Sequence, residues 1–174
     1  MNRPDFSNLL VHFTTDRDPC SNEQENPGNE FIGLSAYDRL VKILNIKRIV
    51  ATNMPWTGKK ATCFTECPWP SLVDHSRQYS SFGIGFMKPR IFAAGGGPVY
   101  YVRADHWRKQ DWDDHVKAFV TPFWPGYRSA SFKTPEYLDG KTCDYSHERE
   151  WRIPHDFTFE YENVEVIILK SYED

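Results

Sequence analysis

The stretch YSHEREWRIP, residues 145–154, carries two carboxylates one residue apart, Glu148 and Glu150, with Arg149 and Arg152 between and after them. On an extended strand, alternate side chains share a face. Glu148, Glu150 and Arg152 then line one side, and Arg149, Trp151 and Ile153 the other. Trp151 and Ile153 suit a core. The carboxylates line either solvent, where their ion pairs with arginine contribute about 0–1 kcal/mol, or the floor of a cleft. A second candidate is His12-Phe13-Thr14, at the end of the apolar run NLLVHFTT (8–15). There His12 is either a ligand-facing imidazole or a satisfied histidine at a strand end. A third is Ser76 with Tyr79, on one side of a helix expected within 68–80, where Tyr79 also suits a core. Cys63, Cys67, Cys143 and His147 could supply four zinc ligands, but structural sites favour closer C-x-x-C knuckles. Cys63 also sits in the apolar run ATCFTE, where a buried thiol is common. No metal is expected.

The elements that must position these groups follow from periodicity and punctuation. NLLVHFTT, KRIVAT (47–52), ATCFTE (61–66), FGIGFMK (82–88), the end of GGGPVYYVR (95–103), REWRIP (149–154) and NVEVIILK (163–170) read as strands. SAYDRLVKILNI (35–46) reads as a helix with a capping-box-like start at Ser35 and Asp38. Tyr37, Leu40, Val41 and Leu44 fall on one of its faces. Trp112, His115, Val116 and Phe119 have helical spacing within 105–120, and core packing is the expected role of that stripe. Residues 16–33 are rich in Asp, Asn, Glu, Pro and Gly and read as a loop insertion. The aromatic, Pro-rich segment 121–144 reads as a loop folded over a site. Gly95-Gly96-Gly97 precedes a strand and lacks both phosphate-loop patterns, so it is a turn.

The chain has 174 residues, with 40% hydrophobic, 26% charged and 16% aromatic residues and a net charge of −3. That suits one α+β domain over residues 1–174 with a substantial core. No long basic run advertises general nucleic-acid binding, although an enzyme acting on nucleic acid is not excluded. No signal-peptide pattern opens the chain, and no stretch reaches the roughly 20 apolar residues of a membrane span. A soluble, cytoplasmic protein with free thiols is expected, with no membrane partner.

Set in order, VHFTT, LVKIL, CFTE with the following Ser76 and Tyr79, and HEREWRIP resemble the ADP-ribosyltransferase fold, in its His-Tyr-Glu, DarT-like branch. CFTE, GIGF and the late E-x-E-W-R also resemble the AbiGi-type family of abortive-infection proteins. The resemblance spans most of the chain. It implies a mixed or antiparallel split sheet with flanking helices, and NAD as substrate. Cleaving the nicotinamide–ribose bond develops oxocarbenium character, as in glycoside hydrolysis. The resemblance therefore casts Glu150 as the carboxylate beside the ribose and Glu148 as the group that positions the acceptor. His12, Phe13, Thr14 and Ser76 would hold the dinucleotide, with Tyr79 stacking on nicotinamide. The product would be ADP-ribose joined to a protein or nucleic acid, in a toxin or effector of phage–bacterium conflict. The alternative is a catalytically inactive module of the same fold, an antitoxin or sensor with a cognate toxin or phage protein as partner. The chain departs from the family in its 16–33 insertion, and it carries no R-S-E signature.

Overall fold

Why the chain buries what it does is clearest at its first strand. The computed structural model describes residues 7–16, 30–66, 80–107, 109–127 and 135–171. Leu9–Phe13 forms β1, and Leu9, Leu10 and Val11 are all buried, so both faces of the strand are covered. Ala36–Ile46 forms α1, capped as expected: the Ser35 hydroxyl accepts from the Asp38 N–H at 3.1 Å. Then come β2 (Arg48–Ile49), β3 (Thr52–Asn53), β4 (Lys60–Glu66) and β5 (Gly83–Met87). They are followed by α2 (Lys88–Ala93), β6 (Gly97–Pro98), β7 (Tyr100–Arg103), α3 (Ala104–Trp107), α4 (Asp114–Lys117) and β8 (Val120–Phe123). The chain closes with β9 (Glu150–Ile153), β10 (Phe157–Thr158) and β11 (Val166–Ile168).

The main sheet has the order β11-β5-β1-β4-β9-β6, with β3 also on β4, and every pair in it is antiparallel. β7 and β8 form a separate parallel pair, and β10 with β2 a small antiparallel one. Few helices accompany the strands, so the domain is α+β, compact and single. One face of the main sheet presents Leu10, Phe64, Ile84, Phe86 and Ile153 to α1 and to Ile49, Phe157 and Phe159. Edge-on rings tie this core together, with Phe86 and Phe157 at 5.0 Å and 87°. Among the described residues, no helix is long and apolar enough to cross a membrane.

Several expectations are corrected. The buried face of α1 is Ala36, Arg39, Leu40 and Ile43, while Tyr37 and Val41 are exposed at 41% and 36%. The apolar residues wrap too widely around this helix for hydropathy to select one side. The 105–120 stripe is not one helix. Asp113 accepts from the His115 N–H at 2.8 Å and starts α4 afresh, because aspartate caps helices better than it continues them. The last strand runs only over Val166–Ile168, since residues 161–163 form a 3-10 turn. Within the expected loop 121–144, β8 reaches Phe123. The helix expected within 68–80 and most of the 16–33 insertion lie outside the described residues. The insertion's ends meet at the start of α1. Asp16 accepts from the Ala36 N–H at 2.7 Å, and Gly33 turns the chain at φ 74°.

Candidate functional site

β1 and β4 pair at Leu10–Glu66 and Val11–Thr65. Past that point, the His12 ring bridges the two strands, its Nδ1 lying 2.8 Å from the Cys63 carbonyl oxygen. A carbonyl only accepts, so Nδ1 carries the proton. Burial holds the imidazole below its usual 6.5, against the raising effect of the Cys63 carbonyl. The ring is therefore neutral at physiological pH, and Nε2 is an acceptor. Its edge contact with Phe64, 6.0 Å between centroids, fixes its plane.

Beyond His12, the strands, α1 and β2 enclose a pocket of about 160 Å³. Phe13, Thr14, Arg39 and Thr62 line it with His12 over an apolar floor that includes Ile43 and Ile49. Thr14 is almost wholly buried, and its hydroxyl donates to the Ala36 carbonyl at 2.8 Å. Its backbone N–H reaches Phe82 O at 3.0 Å. Thr14 thus clamps the end of β1 to α1 and to the entry of β5. Arg39 is 5% exposed and lines the pocket wall. That wall can meet an anionic or oxygen-rich ligand, while His12 can accept from a hydroxyl.

Glu150 lies elsewhere. In the β4–β9 register Glu150 opposes Thr65 and Arg152 opposes Cys63, on the face opposite Phe64 and His12. Both are buried. The Glu150 carboxylate is bidentate to Arg152, Oε1 to Nε at 2.8 Å and Oε2 to Nη2 at 2.8 Å. Arg152 also donates to Ala118 O at 3.1 Å, Val120 O at 3.3 Å and Thr121 Oγ1 at 2.7 Å. All five guanidinium protons thereby have acceptors, and the carboxylate is fixed against the β7–β8 layer. The Glu150 N–H meets the Tyr101 hydroxyl at 3.3 Å, and burial, with nearby Glu150, raises that phenol to about 12. Cys63 joins the two sides: its carbonyl accepts from the His12 Nδ1–H, and its thiol neighbours the ion pair. Burial first, and the Glu150 charge second, push that thiol well above its usual value. It is protonated at neutral pH and a poor nucleophile.

Glu148 does not share a strand with Glu150. It ends a 3-10 turn over Ser146–Glu148, and Arg149 at φ 47° reverses the backbone before β9 begins. The expected alternation therefore starts one residue too late to align the two carboxylates. The structure thus brings His12, Phe13 and Thr14 together at one pocket, and sets Glu150 and Glu148 apart from it. Ser76 and Tyr79 lie outside the described residues. Among the described residues no group of three or more His, Cys, Asp or Glu could hold a metal; Cys67 lies outside them. The Cys143 thiol donates to Pro122 O at 3.1 Å. Sequence reasoning missed Arg39 as a pocket residue, and no signal in a helical apolar stripe marks a buried arginine. The Glu150–Arg152 pair was visible as an i, i+2 pair on one strand face.

No family model, no curated protein and no solved structure matches this chain.

Proposed function

We propose that the chain is an ADP-ribosyltransferase-like module that holds the adenosine-side ribose of NAD in the His12 pocket and does not turn NAD over, serving as an antitoxin-like or sensor component of a phage-defence system. One observation carries the choice of module over enzyme: the Glu150 carboxylate is engaged at both oxygens by Arg152 and faces away from His12. A carboxylate neutralised in this way is poorly suited to favour positive charge on a ribose. The pocket supports the ligand class. A neutral imidazole with its proton on Nδ1 can accept from a ribose hydroxyl at Nε2, and Arg39 lines the same pocket.

A second reading is NAD-dependent transfer of ADP-ribose to a macromolecule, with Glu150 as the catalytic carboxylate and Glu148 beside the acceptor. It is favoured by the position of Cys63, which touches His12 through its carbonyl and neighbours Glu150 through its thiol. Only one strand then separates the two groups. Incubation with NAD, following nicotinamide release, separates the readings. The module binds NAD, more weakly as His12→Ala, and releases none. Release that disappears in a folded Glu150→Gln variant would establish the transferase instead.

A further inference from the structure

Away from the His12 pocket, three tryptophans border an open pocket of about 400 Å³ together with Lys59, Asp114 and Lys117. Among the described residues, none of the three belongs to either hydrophobic cluster. Trp107 and Trp112 stack at 5.6 Å and 27°, and the Trp112 indole N–H donates to Trp107 O at 3.1 Å. The polar edge of Trp112 is thereby satisfied within the protein. Trp56 comes from the β3–β4 turn, is 36% exposed, and leans on Tyr145 at 6.4 Å. The polar side of the pocket is a cluster of three charges. Lys59 meets Asp114 at 3.0 Å and Lys117 meets it at 2.7 Å, so two ammonium groups share one carboxylate.

We infer that this pocket is a second ligand site, for a free nucleoside monophosphate whose base lies on the indoles and whose phosphate meets Lys59 and Lys117. Indole faces stack on planar rings. Within the pocket lining Lys59 and Lys117 outnumber the Asp114 they share, Asp111 and Asp113 lying outside that lining, and the ammonium groups retain donors for phosphate oxygens. A cationic ligand, otherwise well suited to tryptophan faces, meets two ammonium groups. A nucleic-acid strand calls for a basic groove that follows its backbone; here Asp111 and Asp113 border the lysines on the same segment. The pocket's size suits one nucleotide.

Titration with AMP, followed by tryptophan fluorescence and calorimetry, tests the site. Saturable AMP binding is expected, with adenosine and ribose 5-phosphate each weaker. Trp56→Ala, with its fold checked by circular dichroism, should weaken AMP by about tenfold, the size of one lost base–indole stack. Lys59→Ala should weaken AMP and leave adenosine unchanged. The Trp56-dependent part of AMP binding should persist in His12→Ala, so failure of the NAD reading does not affect this result. No saturable AMP binding would overturn the inference. So would equal affinity for AMP and adenosine, wild-type affinity in Trp56→Ala, or a ten-residue oligoadenylate binding far more tightly than AMP.

Discussion

At Glu150 and Arg152, two buried charges satisfy each other and five donors find five acceptors. Breaking such a pair leaves an uncompensated charge in the interior. Glu150→Gln should therefore destabilise the fold by about 3 kcal/mol, measured by urea unfolding. The double variant Glu150→Gln with Arg152→Met should recover part of that loss. If Glu150→Gln unfolds like the wild type, the pair is not what holds β9 to the β7–β8 layer. His12 makes a pH-dependent contribution. Its folded pKa lies below the 6.5 of a free histidine. The unfolded chain therefore binds more protons between those two values. Stability should be fully present above about pH 6.5 and should fall as pH drops toward the folded value. Between about pH 7.5 and about pH 5.5, the unfolding midpoint of the wild type should drop more than that of His12→Gln. Equal drops would mean that His12 is not held neutral. Much of this scale was legible in sequence: His12 ends a strand, and Glu150 and Arg152 share a face. What could not be read was what else holds Arg152, because Ala118, Val120 and Thr121 bring its other acceptors from over thirty residues away in sequence.

Among the elements, α1, β1, β4, β5 and β9 were readable because each joins a strong apolar pattern to a clear boundary. Ser35 and Asp38 mark one start, and Trp151 and Ile153 mark a core face. The rotation of α1 was not readable, since its apolar residues wrap widely and Arg39 takes a buried place. The 3-10 turn before β9 was missed because nothing in SHER distinguishes a turn from an extended strand. β11 reaches the sheet through glycine. A Cβ on Gly85 would come within 2.6 Å of Val166 Cγ1 and 3.2 Å of Leu9 Cδ1. Gly85→Ala should cost about 1–3 kcal/mol by overpacking. Val166→Ala in the same chain should restore much of that, because it removes the closest atom. A double variant no more stable than Gly85→Ala would show that the strain lies with Leu9 or the backbone.

For the whole molecule, the antiparallel sheet keeps two polar centres apart. On one side, the neutral imidazole of His12 and Arg39 border a pocket between β1 and β4. On the other, Glu150 is locked beneath β7 and β8. The overall α+β class followed from the order of strands and helices in the sequence. The separation did not, because strand register decides faces and local pattern does not fix register. If the first centre binds and the second only braces, occupancy and chemistry come apart. Calorimetric titration of NAD into the wild type, His12→Ala and Glu150→Gln, with nicotinamide measured in the same samples, tests this most directly. A module that binds without turnover predicts saturable NAD binding to the wild type. It also predicts that His12→Ala weakens binding by about tenfold, the size of one lost hydrogen bond. A folded Glu150→Gln should bind like the wild type, and nicotinamide should appear in none of the samples. Nicotinamide release by the wild type that vanishes with Glu150→Gln, or no NAD binding at all, would contradict it.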